Sequence, residues 1–437
     1  MNPETVGIIA LLSAFMLMLV RVPIGIVLGT VGVTGLIYLQ GWTQALVQLQ
    51  LVSWEIGTNF LFITLPLFIL MGQLAFHSGF ATDLYDCIYK WFGKRTGGLA
   101  ITSIVSSACF GAITGSSIAT VSAMGNMLMP EMKRYRYDTG LASGSLASAG
   151  VLAILIPPSI PLVFYGVWTE TSIGDLFIAA IIPGIILTSL FALYVYARCK
   201  ISPELGPRGP EFTAKERFSS LTKLAPSACL FMLVLGGIYG GFVTPTEAAA
   251  LGAMGIFVIA LMKRRLTLSA ISEATEQSAL LSSNIFLIFL GGMLFSRFWV
   301  QTGLTEDTIE YITQAQLSPL VIMLCLVLVF TLLGAILDTF GMLIITLPIV
   351  FPLVMSLGYD RVWFGIFMVI MIELSLITPP IGINVFVMHR IIPDTPMSTL
   401  FKGSIPFVLL CLLMALILLL VPEVALWLPQ YIKSLNP

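Results

Sequence analysis

The chain has 437 residues, 58% of them hydrophobic and only 10% charged, with a formal net charge of −1. A water-soluble protein carries roughly a quarter charged residues, so this composition excludes a soluble globular fold, and the near-neutral charge offers no basis for binding nucleic acid. It implies an all-α polytopic membrane protein whose main solvent is the lipid bilayer.

In chain order, the segment "MNPETVGIIALLSAFMLMLV" has no basic n-region and no small-residue cleavage site, and reads as a retained first helix. Apolar runs predict helices over 4–20, 23–40, 59–76, 139–168, 175–197, 225–241, 245–262, 278–298, 362–389 and 404–428. Two further runs, 99–131 and 318–357, are too long for one span. Each is interrupted near its middle, by "GAITGSSIAT" from Gly111 and by "GAILDTFGML" from Gly334. Both are expected to be re-entrant hairpins that enter and leave the bilayer on one side. Charged stretches at 80–95 and 263–276 suggest amphipathic surface helices, and the Pro-rich polar stretch from Arg198 to Lys223 suggests a linker.

Of the 21 Lys and Arg residues, this threading leaves only Arg297, Arg361 and Lys433 on one side of the membrane. The positive-inside bias then puts both termini outside. The first hairpin opens to the cytoplasm and the second to the exterior.

The two interruptions have partners. "LIPPSIPLVFYG" follows the first and "LITPPIGINVFVM" the second. Gly111 and Gly334 are 223 residues apart, Pro157 and Pro379 are 222 apart, and Pro23 and Pro245 repeat that offset. Gly72 and Gly292 follow at a nearby one. This order indicates an internal duplication. The expected division is a first repeat over 1–200 (scaffold 1–76, hairpin 99–131, broken helix 139–168), a cytoplasmic linker over 201–224, and an inverted second repeat over 225–437. The second comprises scaffold 225–298, hairpin 318–357, broken helix 362–389 and a last helix 404–428. Inverted repeats with interrupted helices are a recurring design of secondary transporters.

Backbone left unpaired at membrane depth has to face protein or a wet cavity. Pro157–Pro158 and Pro379–Pro380 remove N–H donors and free carbonyl oxygens, while the helix N-termini beside them favour anions. That combination suits Na⁺ together with a carboxylate. The candidate Na⁺ ligands are the hydroxyls of Thr114, Ser116 and Ser117 against the loop Ile156, Pro157, Pro158 and Ser159. In the second half they are Asp338 and Thr339 against Thr378, Pro379, Pro380 and Ile381. A carboxylate at membrane depth is functional by default, and Asp338 is the acidic residue at these tips. Two such clamps imply at least two ions. The candidate substrate contacts are Gly115, Ser117, Ser159, Gly341, Asn384 and Arg297. Asn384 either donates to a substrate or fixes its loop, and Arg297 either meets a carboxylate or snorkels to the interface.

Glu247 suits the first turn of a helix, and Glu373 either packs within the bundle or takes part in transport. The six cysteines are scattered without a CxxC pair, and neither His77 nor His389 has metal-ligand spacing around it. With no GxxxxGK[ST] loop, ATP is not the expected driving force, and no nucleophile–His–acid constellation suggests an enzyme.

"GAITGSSIATVSAMG", "LIPPSIPLVFYG", "GGFVTPTEAAALGA", "LGAILDTFGMLIITLPIVFPL" and "LITPPIGINVFV" resemble the large membrane subunit of the tripartite ATP-independent periplasmic (TRAP) transporters, over almost the whole chain. The resemblance implies the ion-transporter superfold and an elevator mechanism in the bacterial inner membrane. It also implies Na⁺ coupling, with carboxylate substrates such as dicarboxylates or sialic acid. Its implied partners are a separate small membrane subunit of four helices and a periplasmic binding protein that delivers substrate. The competing expectation is a stand-alone Na⁺- or H⁺-coupled anion symporter of the same superfold.

Overall fold

A computed structural model describes residues 1–435 of the chain, leaving Asn436 and Pro437 of the expected second repeat outside the described residues. Twenty α-helices run in order: α1 Pro3–Leu19, α2 Ile24–Gln40, α3 Trp42–Thr58, α4 Thr64–His77, α5 Phe80–Phe92, α6 Gly98–Thr114, α7 Ser117–Arg134, α8 Thr139–Leu155, α9 Ile160–Trp168, α10 Ile173–Ile201, α11 Ala214–Tyr239, α12 Pro245–Met262, α13 Leu268–Gln301, α14 Leu304–Gln314, α15 Pro319–Gly334, α16 Thr339–Ser356, α17 Arg361–Ser375, α18 Ile383–Ile391, α19 Met397–Leu420 and α20 Glu423–Leu435. Among the described residues, six helical spans are long and apolar enough to cross a bilayer, or up to eight when bent pairs count as one.

The interrupted segments break where their residues demand it. α6 ends on Gly115, whose φ of +59° is left-handed, and Ser116 caps α7 by accepting the Ala119 N–H. α8 stops at Leu155, and Ser159 caps α9 after the two prolines, with a bend of 40° between the helices. The order α6–α7–α8–α9, two helices joined at a tip followed by a broken helix, recurs as α15–α16–α17–α18. Corresponding contacts recur too. A Cβ built on Gly111 would lie 2.2 Å from Ala153 Cα, and one on Gly334 2.2 Å from Ser375 Cβ. Each hairpin thus rests on the first half of its own broken helix through a glycine.

The core sits on those two helices. α8 is buried from Leu141 to Leu155 and α17 from Trp363 to Ser375. Around them, helices close up through small residues, as membrane helices do when hydrophobicity alone gives them no reason to associate. Gly25 and Gly32 of α2 meet the backbone of α13 at Leu287 and Phe295, and Gly144 of α8 meets Gly403 of α19. Leucines and other large apolar side chains face outward on α1, α13, α15 and α19, where lipid is their solvent.

Three boundaries and two additional helices differ from expectation. The stretch 263–276 is not a separate surface helix. Its latter part forms the first turns of α13, whose 34 residues extend about 50 Å at ~1.5 Å per residue. That exceeds a hydrocarbon core of about 30 Å, so the polar "SEATEQS" turns remain continuous helix outside it. α11 starts at Ala214, inside the expected linker, because Thr213 and Glu216 form a capping box. The last predicted helix ends at Leu420, ahead of Pro422, and α20 follows it. α3 and α14 fall where no helix was expected. Glu247 joins Thr244 in a second capping box at the start of α12.

Candidate functional site

The first tip abuts the first break. A Cβ on Gly115 would stand 3.1 Å from the Pro158 carbonyl oxygen and 3.3 Å from the Ile160 nitrogen. Thr114 and Thr120 share a hydroxyl hydrogen bond of 3.0 Å across the tip. Thr114, Ser117, Pro157, Pro158 and Ser159 are all buried. The Ser159 hydroxyl accepts the Leu162 N–H at 3.3 Å. No hydrogen bond among the described residues reaches the carbonyls of Ile156, Pro157 or Pro158. These oxygens are what a double proline leaves over at the end of a helix. Gly72 of α4 closes the other side of the tip, its Cβ direction running into the Thr114 carbonyl.

The second tip is built differently. Asp338 caps α16, its Oδ1 accepting the Gly341 N–H at 3.0 Å. Gly341 is thereby committed to the cap, and a Cβ there would crowd Ile24 and Asp338 Oδ1. Among the described residues, the carbonyls from Thr378 to Ile381 also receive no hydrogen bond, while the Thr378 hydroxyl donates to the Leu374 carbonyl at 2.6 Å. Pro379, Pro380 and Ile381 are exposed, in contrast to the buried first break, and among the described residues no hydrogen bond joins Asp338 or Thr339 to them.

A cavity of about 100 Å³ brings the two tips together. Thr114, Ser117, Ile160, Thr339 and Leu376 line it, with Gln73 and Phe76 of α4 at one edge. Ser117, Ile160 and Thr339 are the first residues of α7, α9 and α16. Three helix N-termini therefore open into one space, each carrying a fraction of positive charge from its aligned peptides. That space suits an anion, and the free carbonyls of the two breaks suit small cations. Gln73, Phe76, Leu281 and Phe340, which also line it, carry no signal in the sequence beyond the nearby Gly72.

A second cavity, of about 750 Å³, is lined by Glu55, Asn59, Trp168, Glu170, Arg297 and Lys433 among others. Arg297 belongs here and not at the tips. Its guanidinium donates to Gln48 at 2.6 Å and pairs with Glu55 at 2.8 Å. Lys433 of α20 pairs with Asp175 of α10 at 2.6 Å. Between the two cavities lies an aromatic cluster. Phe164 packs against Phe289 with ring centres 3.9 Å apart and against Phe340 at 5.5 Å, and Phe62 meets Phe289 edge-on at 4.6 Å.

Asn384 is fully buried. Its side-chain amide donates to Ser117 Oγ at 2.7 Å and to the Ala147 carbonyl at 3.1 Å, so both its N–H groups are spent inside the protein, on the first tip and on α8. Ser159 is spent in part on capping. At the rim of the fold, Asp83 of α5 takes Lys263 at 2.8 Å and Arg265 at 2.8 and 3.0 Å. Burial pushes its carboxyl up, but the hydrogen bonds from Arg265 and Lys263, with their charges, outweigh this and hold it below the usual carboxylate range.

A family described as "Tripartite ATP-independent periplasmic transporter, DctM component" matches residues 11–424 of the chain. The C4-dicarboxylate TRAP transporter large permease protein DctM of Pseudomonas aeruginosa is 33% identical over 387 residues, covering 88% of this chain and 90% of its own. The sialic acid TRAP transporter large permease protein SiaM of Vibrio cholerae is 28% identical over 377 residues, covering 85% and 87% respectively. The solved Alcanivorax borkumensis YdaH transporter superposes with a TM-score of 0.56 at 15% identity, over 83% of this chain and 85% of that one, which is a likeness of fold.

Proposed function

The chain belongs to the DctM-component family of tripartite ATP-independent periplasmic transporters, and from that premise we propose that it carries a carboxylate substrate of the dicarboxylate or sialic-acid class across the bacterial inner membrane in symport with Na⁺. The observation that supports this best is the shared tip cavity, into which three helix N-termini open, together with the unpaired backbone carbonyls of the two breaks, of which the Pro158 carbonyl lies against the first tip. In this reading Na⁺ binds between Thr114, Ser116, Ser117 and the Ile156–Ser159 loop, and again between Asp338, Thr339 and the Thr378–Ile381 loop. Each ion replaces lost water with protein oxygens. The substrate carboxylate sits between the tips, held by the helix dipoles and by Na⁺ charge rather than by a resident cation.

The duplicated halves move as an elevator. The two hairpins and two broken helices slide as one block against a scaffold of α1–α4 and α11–α13. In this reading both termini lie in the periplasm, the Arg297 cavity on the outer face, and the Gln73–Phe76 part of the tip cavity toward the cytoplasm, which the charge bias supports. The aromatic cluster then closes the tips from outside, which makes this conformation inward-facing. Substrate comes from a periplasmic binding protein, and a small four-helix subunit widens the scaffold.

The test is uptake into proteoliposomes holding the chain, its small membrane partner and the matching binding protein. An inward Na⁺ gradient is expected to drive accumulation of a dicarboxylate or a sialic acid, and replacing Na⁺ by K⁺ to stop it. Uptake that persists without the binding protein would make this a stand-alone carrier. Uptake driven by a proton gradient alone would refute Na⁺ coupling.

A further inference from the structure

Asn384 occupies a position that neither break nor tip explains separately. Its backbone N–H donates to the Leu376 carbonyl at 3.0 Å, closing the second break from 376 to 384. Its side chain crosses to the other half of the molecule, 267 residues away in sequence, and holds Ser117 Oγ at 2.7 Å. The Ala147 carbonyl at 3.1 Å can only accept, which fixes the amide with its nitrogen toward α8 and the tip. Gly150 leaves room for this crossing, since a Cβ there would stand 3.0 Å from both Asn384 Nδ2 and Ser117 Oγ. The remaining Oδ1 is buried and receives no hydrogen bond. An amide with both donors committed and its acceptor idle is oriented by the crossing itself.

We propose that Asn384 is a positioning residue that couples the two cation sites, and this rests on the Na⁺ reading above. A cation on the Thr378–Ile381 carbonyls orders the loop that the Asn384 backbone closes. The ordered side chain then sets the Ser117 hydroxyl for a cation at the first tip. Coupling of this kind is reciprocal, so either ion raises the affinity for the other.

The experiment is equilibrium binding of radiolabelled Na⁺ to the purified chain with its small partner in nanodiscs. The wild type is expected to bind with a Hill coefficient above 1. Asn384→Asp keeps the shape but offers no donor to the Ala147 carbonyl or Ser117. It is expected to lower the Hill coefficient to 1 and raise the half-saturating concentration about 5- to 150-fold, the usual range of coupling between sites. Gly150→Ala removes no candidate ligand but crowds the crossing, its Cβ falling 2.3 Å from Val121 Cγ2 and 3.0 Å from Asn384 Nδ2 and Ser117 Oγ, and is expected to do the same if Asn384→Asp does not fold. The number of ions bound at saturation stays constant in both, which a collapsed site would not allow. Cooperative binding that survives in a folded variant overturns the coupling and leaves the Na⁺ reading intact. A wild type that binds no Na⁺ overturns both.

Discussion

Gly72→Ala bears most sharply on the sliding block. In this conformation a Cβ on Gly72 would lie 2.8 Å from the Thr114 carbonyl oxygen and 2.9 Å from Thr114 Cα. Both atoms are backbone, so no side chain can rotate away, and either α4 or the first tip has to give. Overpacking of this size costs about 1–3 kcal/mol. If α4 belongs to the scaffold and the tip to the moving block, the cost falls on this conformation alone. The block then shifts away from it by about 5- to 150-fold, at 1.4 kcal/mol per tenfold. The assay is a spin-label distance between exposed Trp54 on α3 and exposed Phe386 on α18, both changed to cysteine in a background without the native six. The expected outcome is a new distance population in Gly72→Ala, with thermal stability close to that of the parent. An unchanged distance distribution together with a lower melting temperature would mean that α4 and the tip never part, and the elevator assignment would fail.

Other expectations can be checked on the same preparations. Asp338→Asn retains a good capping residue but removes the charge, so it is expected to abolish Na⁺-driven uptake while thermal unfolding moves by less than about 1 kcal/mol. The carboxyl of Asp83 is held low by Arg265 and Lys263, so its contribution is full above the unfolded value near 4 and disappears as pH falls through the folded value. Melting temperature followed from pH 7 down to 3 should therefore fall in that acid window, and Asp83→Asn should lose both that dependence and about 1–3 kcal/mol at neutral pH, since the cluster is only partly buried. Glu373 is buried in α17, and neither of its carboxylate oxygens receives a hydrogen bond. Glu373→Met is expected to raise stability by about 1–3 kcal/mol, and a loss of that size would reveal a partner that this conformation does not contain.

Much of the architecture was legible because the informative residues sit where they are costly. Gly, Ser, Thr and Asp in the middle of apolar runs, and two Pro-Pro pairs, have no place in a continuous membrane helix. The structure puts a tip or a break at each of them. α3 was hidden because "WTQALVQLQLVSWEIGT" mixes three glutamines and a glutamate into its apolar residues and resembles a connector. The polar start of α13 concealed its continuity with the apolar remainder, because hydropathy marks the bilayer boundary and not the helix boundary. Within the site, the paired tips and breaks could be located from spacing. The contacts that orient them could not. Asn384 with Ser117 and Arg297 with Glu55 join residues more than two hundred positions apart, and no local pattern records such a meeting. The difference between the buried first break and the exposed second one is likewise a property of packing.

Counting the bound ions tests the central claim most directly. Purified chain, reconstituted with its small partner, is titrated with radiolabelled Na⁺ and compared with Ser117→Ala and Asp338→Asn. Two clamps built from unpaired carbonyls predict saturation at two or more ions, with one ion fewer in each variant. Saturation at the same count in all three proteins, or no Na⁺ bound by any of them, would contradict the assignment of the tips and breaks as paired cation sites.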